Sequence, residues 1–197
     1  MKNQMNKKRA TALIVTAMIV PAISLPAYAA DSYTIDSRHT LPVFEVNHLG
    51  FSTQRGRFNK VSGNIVLDVP AKSGVISITI DPASIDMGLD EWDKHLRSED
   101  FFNAEKFPAM TFKSDKLIFD GDKLIGAEGR FTLLGVTKPV KLAINGLHCA
   151  PHPVNKKPLC GADATTTIKR SEYGMMKYLP AISDDVKVMI PVEAFKD

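Results

Sequence analysis

Beyond its first thirty residues the chain has no apolar run long enough to span a bilayer, so an integral membrane protein is not expected. It has no internal repeat, no low-complexity tract and no linker, and nothing divides it into two domains. Surplus charge is missing too. The 197 residues hold 25 basic and 22 acidic side chains, and four of the basic ones, Lys2, Lys7, Lys8 and Arg9, lie in an opening segment without an acidic residue. The remainder is balanced at 21 against 22. A near-neutral chain has no electrostatic footprint for nucleic acid or for an anionic membrane. No nucleophile-elbow motif is present, and there are only two cysteines, Cys149 and Cys160.

The opening segment has a pattern of its own. After the basic residues it runs apolar from Ala10 through Leu25 and reaches Ala27-Tyr28-Ala29, the order of a secretory signal peptide. Pro21 and Pro26 interrupt the run, and about sixteen residues is short for a membrane span. No lipobox cysteine is present. Residues 1–29 are therefore expected to be a cleaved leader, and residues 30–197 one domain outside the cytoplasm, long enough for a full core.

Strand periodicity dominates that domain. Phe44, Val46 and His48 alternate with Val43, Glu45 and Asn47, and Val61, Gly63, Ile65, Leu67 and Val69 alternate with more polar neighbours. Read together, residues 38–68 suggest a hairpin of two arms turned by Gly50 to Gly56. Tyr33 to Asp36 is a short strand before it. Ile76, Ile78 and Ile80 mark the next strand, closed by Asp81-Pro82. Leu89, Trp92 and Leu96 then fall three and four apart, the spacing of the one convincing helix. Strands resume with Met110, Phe112 and Ser114, then Leu117 and Phe119. Asp120-Gly121-Asp122 is a hairpin turn into Lys123 to Leu133, which ends on Phe131 and Leu133. Residues 135–139 read as another turn, followed by Val140, Leu142 and Ile144. A loop bounded by Cys149 and Cys160 separates these from two last strands, Ala162 to Ile168 and Val186 to Val192.

The fold class is all-β: eight or nine antiparallel strands with one short helix. Such strands either stack as two sheets or close into a barrel, and short links favour closure, which removes exposed edges. An interior of about eight strands can be filled by side chains or hold one elongated ligand. Periodicity leaves both open.

Two groupings could carry other chemistry. His39, His48, Asp86, Asp93, His95, Arg97 and Asp100 could form an acid-base site, with His95 as base and Asp93 or Asp100 orienting it. They could equally pair the backbone groups of turns and of the helix. His148, Cys149, His152 and Cys160 could bind zinc or copper, but two cysteines in an exported protein favour a disulfide. Met175-Met176 beside Tyr178 suits packing or pocket lining better than a copper or haem role.

Short motifs run in order through the whole domain: Tyr33-x-Ile35-Asp36-x-x-His39, Phe44-x-x-x-His48-Leu49-Gly50, Gly56-x-Phe58 and Ser84-Ile85-Asp86. They continue with Asp93-x-His95-Leu96-Arg97-Ser98-x-Asp100-Phe101-Phe102 and Phe107-Pro108, then Thr132-Leu133-x-Gly135-Val136-Thr137-x-Pro139-Val140 and Ile168-x-Arg170-x-x-Tyr173-Gly174. In this register the chain resembles the YceI-like proteins: bacterial, often periplasmic, polyisoprenoid-binding, with a lipocalin-like barrel. Met87 stands where that family often has Thr, and the segment from Cys149 to Cys160 occurs in only part of it.

The resemblance implies a periplasmic carrier for a long-chain isoprenoid, of polyprenyl or isoprenoid-quinone type, or a related amphiphilic lipid. No cofactor is expected beyond that ligand, and a second copy of the chain is a candidate partner as a homodimer. Phe44, Val46, Ile65, Leu67, Ile76, Ile78 and Ile80 are the expected lining from the first half of the chain. Phe112, Phe131, Leu133, Leu142, Ile144, Ile168 and Val188 are those from the second. His48, His95, Arg97 and Tyr173 are expected near the ligand's head. The alternatives are an enzyme or accessory factor of isoprenoid lipid metabolism using the histidines, and a filled barrel acting as a stress-related interaction protein.

Overall fold

The computed structural model describes residues 30–197, so the expected signal peptide lies outside the described residues. Eleven strands follow in chain order, β1 (Asp31–Ile35), β2 (Val43–His48), β3 (Ser52–Phe58), β4 (Val61–Asp68), β5 (Ser73–Ile80), β6 (Ile85–Asp86), β7 (Met110–Asp120), β8 (Lys123–Leu133), β9 (Val136–Pro151), β10 (Pro158–Lys169) and β11 (Ile182–Lys196). One α-helix, α1 (Asp90–Arg97), lies between β6 and β7. Every pairing is antiparallel, and eight strands close a ring in the order β1-β4-β5-β7-β8-β9-β10-β11, with β11 returning to β1. The ring is the barrel expected from the sequence.

Closure depends on the length of β11. Its last residues pair with β1, through Tyr33 with Lys196 and Ile35 with Ala194, while its first half pairs with β2, through Ile182 with His48 and Val188 with Phe44. One edge of β11 thus has two successive partners, while its other edge pairs with β10. The β2-β3-β6 arm leaves the ring at that exchange, and the wall opens toward the end where β5 finishes and β7 starts. At the opposite end the ring stays closed around Leu67, Ile76, Leu117, Leu124, Ala127 and Ile144, all buried. There Ser114 Oγ accepts from the Ile76 amide at 2.8 Å, pairing a backbone donor beside an irregularity in β7.

Three local expectations are corrected. The second arm of the opening hairpin is β3, at residues 52–58, paired with β2 from Val43–Arg57 to His48–Ser52. The apolar run from Val61 belongs to β4, which pairs with β1 and β5. Strand β3 has polar residues at most positions, and its inward-facing side is only Gln54, Gly56 and Phe58, so it lacks an apolar alternation to read. Gly56 has no side chain because the Phe44 ring and the Met87 sulfur occupy that space.

Residues 135–139 are not all turn. The turn is Leu134-Gly135, both at positive φ, and β9 is already paired from Val136. The segment from Cys149 to Cys160 is mostly strand as well. Cys149 and Cys160 sit directly opposite each other in β9 and β10 and are joined by a disulfide. Only residues 152–157 form the loop, where His152 Nδ1 accepts from the amides of Val154 and Asn155 at 3.2 Å. Three prolines in the segment weaken its strand pattern on paper, and pairing across the disulfide overrides that weakness.

Candidate functional site

The opened half of the barrel encloses a cavity of about 390 Å³, within the usual range for small-molecule sites. Its wall is almost wholly apolar. Alternation places every second residue of each strand on it: Phe44 and Val46 from β2, Ile78 and Ile80 from β5, and Phe112 from β7. Phe131 and Leu133 from β8, Leu142 from β9, Ile168 from β10 and Val188 from β11 complete the set of expected lining residues that reach it.

Ile65, Leu67, Ile76 and Ile144 do not line this cavity. They point inward, as expected, but belong to the closed half, where Leu67, Ile76 and Ile144 are buried in the core and Ile65 packs against it. Periodicity reports which face of a strand is inside. It does not report where along the strand the inside becomes hollow.

The segment from β6 to β7 caps the open seam. Asp90, Glu91 and Asp93 lie in the first turn of α1, and Lys94, His95 and Arg97 in its last, each sign at the end the helix dipole favours. Trp92, His95 and Leu96, three and four apart, share the face that looks into the cavity. Phe102 then packs edge-on against Phe58, with ring centroids 5.4 Å apart, and Phe101 meets the His95 ring at 5.0 Å. These aromatic neighbours were not among the expected lining residues. Their spacing in a helix and the loop after it gave no strand alternation to follow.

Of the four residues expected at the ligand's head, His48 and His95 border the cavity. Arg97 and Tyr173 do not. Arg97 ends α1, and Tyr173 is buried edge-on behind the Phe131 ring, 5.7 Å away. Burial, with the Glu172 charge adding to it, pushes the Tyr173 phenol up to about 12, so it stays neutral.

The charged group that does reach the wall is Arg170, only 3% exposed. Its guanidinium donates to four carbonyls: Ser183 and Met175 at 2.9 Å, Lys177 at 2.9 Å and Ile182 at 3.0 Å. Burial lowers the Arg170 pKa, and the Asp184 charge opposes that. Asp184 in turn accepts from the Ser171 amide and hydroxyl, both at 2.8 Å. The result is a clasp that fixes the segment between Gly174 and Ile182 over one side of the opening. Arg170 lies in a motif legible in the sequence, yet nothing in that motif marks the side chain as turned inward.

The acid-base grouping does not assemble. Asp93 Oδ1 accepts from the Met87 amide at 2.7 Å, and Asp100 pairs with Lys177 at 3.0 Å, so both carboxylates named as orienters of His95 are bonded elsewhere. Asp86 accepts from Arg57 and Asn59, and His39 meets Asp36 at 2.8 Å in the turn after β1. Glu193 completes a His-carboxylate group with Asp36 and His39, at the point where Thr40 Oγ1 binds both backbone groups of Glu193. That group ties the turn to β11. The set of two cysteines and two histidines is not a metal site in this state, because both sulfurs are in the disulfide.

A closed antiparallel barrel, filled at one end and hollow and apolar at the other, with a short helix over the seam, defines a β-barrel with an internal apolar cavity. Its particular family is shown by sequence: the chain belongs to the YceI-like domain family, whose sequence model matches residues 33–194. A UPF0312 protein of Pectobacterium atrosepticum is 36% identical over 160 residues, covering 81% of this chain and 82% of the relative. Among solved structures, a Campylobacter jejuni YCEI protein superposes with a TM-score of 0.66 at 29% identity, over 77% of this chain and 90% of that one. A polyisoprenoid binding domain from Saccharophagus degradans gives a TM-score of 0.64 at 18% identity, over 84% and 98%, and supports the fold. Among the described residues no helix is long and apolar enough to cross a membrane. The disulfide suits an oxidising compartment.

Proposed function

We propose that the protein is a periplasmic carrier that holds a long-chain isoprenoid, of polyprenyl or isoprenoid-quinone type, or a related amphiphilic lipid, in the hollow half of its barrel. The observation that supports this most is the cavity: a wall of aliphatic and aromatic side chains from eight strands and α1, with the histidines and Arg170 near its open end. Lipid-like shape and polarity match that gradient. A wholly filled barrel acting only through its outer surface fits less well, because the interior is not filled. The name of the Saccharophagus degradans domain agrees with a lipid ligand in the same fold.

The ligand leaves a membrane in which its tail is already away from water. Transfer of the tail into an apolar cavity therefore gains little, and selection rests on shape and on the few polar groups at the open end. The experiment is mass spectrometry of an organic extract of the purified, folded protein. A stoichiometric isoprenoid or other single-tailed amphiphile is expected. An extract with no lipid would remove the carrier reading, and chemical turnover of the extracted lipid by fresh protein would favour the enzyme reading.

A further inference from the structure

We propose that the rim of the cavity is a docking surface for a lipid bilayer, across which the ligand enters and leaves. This rests on the carrier reading. Trp92 and Tyr178 line the cavity and are also 42% and 51% exposed, so the opening lies between α1 and the segment after Gly174. Leu49, Phe51, Leu89 and Met176 are exposed around it. The Leu49 amide donates to the Ala181 carbonyl at 3.0 Å, which joins the β2-β3 turn to that same segment. Six large apolar side chains thus frame one end of the molecule.

The β2-β3 turn adds a separate argument. Leu49 and Gly50 have φ of 56° and 76°, and the Phe51 amide donates to the His48 carbonyl at 3.0 Å, a tight turn inside the three-residue connection whose left-handed central positions favour Gly, Asn or Asp. Leucine there is strained. The same pair recurs at Leu134-Gly135, but Leu134 packs against the core, which accounts for it. Leu49 is 49% exposed and Phe51 is 90% exposed, so burial accounts for neither.

A bilayer is the occupant because the cavity's ligand has a tail that water does not dissolve, so exchange through free solution is slow. Tryptophan, tyrosine and phenylalanine around an opening suit the interface between headgroups and acyl chains. The rim is not basic. Lys177 is paired with Asp100, and on α1 the three carboxylates Asp90, Glu91 and Asp93 outnumber Lys94 and Arg97, so anionic lipid is not what holds it.

The test uses flotation of the mature protein with phosphatidylcholine vesicles, with and without brominated acyl chains. Trp92 is the only tryptophan, so its fluorescence reports depth. The parent should float and its emission should be quenched. Leu49→Asn combined with Phe51→Ser should weaken partition by about tenfold or more, while co-purified lipid matches the parent and thermal stability is equal or higher, since Asn suits the left-handed position. Equal partition of the variant, a parent left in the buffer, or flotation only with anionic lipid would overturn the proposal. A parent that retains lipid but ignores vesicles would overturn the docking surface and leave the carrier reading standing. No lipid in the parent's extract would overturn the carrier reading and the exchange role of the rim with it.

Discussion

Arg170 shows how one side chain shapes the opening. Four carbonyls of the 175–183 stretch accept from its guanidinium. Arg170→Met should destabilise the fold by about 2 to 4 kcal/mol, because buried carbonyls lose their donor. Arg170→Lys should recover only part, since an ammonium cannot reproduce the planar fork. Urea unfolding of the three proteins checks this. Asp184 sets the acid limit of the same clasp. Its pKa is lowered first by the Ser171 amide, against an opposing burial effect, with the Ser171 hydroxyl and the charges of Lys169 and Arg170 adding to the lowering. A carboxylate depressed on folding stabilises the fold above its ordinary value of about 3.9, and that contribution is lost as the pH falls through the depressed value. Asp184→Asn should therefore weaken the protein at pH 7 and flatten its loss of stability between pH 4 and 2, read from urea midpoints; an acid limb as steep as the parent's would contradict the assignment. At this scale the sequence was least informative. His48 was legible because it falls in phase with Phe44 and Val46 on a strand, and His95 through the motif Asp93-x-His95-Leu96-Arg97, which pointed equally to Arg97, whereas Arg170 is polar, sits in a short turn and has no phase to read.

Among the elements, the paired β9 and β10 carry the disulfide at the end of the barrel away from the opening, near Pro151 and Pro158. Cys149→Ser with Cys160→Ser should cost about 2 to 3 kcal/mol by restoring entropy to the unfolded chain, and should leave co-purified lipid unchanged. Calorimetry and lipid quantification on the same preparation decide it; loss of lipid from a folded double variant would mean that the closed end communicates with the cavity. The long apolar strands β4, β5, β7 and β8 could be read directly, since each repeats with period two over several residues. The polar β3 could not, and its absence from the reading placed β4 in the wrong hairpin. Nor could the exchange of partners along β11, which depends on pairings between residues more than a hundred positions apart in sequence.

For the whole molecule, the choice between a filled and a lined barrel resolves by position. The closed ring at one end is packed, and departure of the β2-β3-β6 arm makes the other end hollow. The family motifs identified the barrel, but a boundary between core and cavity is set by how many strands surround each level, and no local pattern encodes that count. The central claim is that the hollow half is the lipid site. Leu142 is buried in its wall, so an unpaired carboxylate there would be desolvated beside the ligand's tail. The deciding measurement is the lipid extracted per mole of Leu142→Glu protein shown by circular dichroism to be folded, with Leu142→Trp, which fills the same space, as the variant to use if the first does not fold. The account predicts that the folded variant carries little or no lipid while the parent carries about one molecule; a full complement in the folded variant would contradict it.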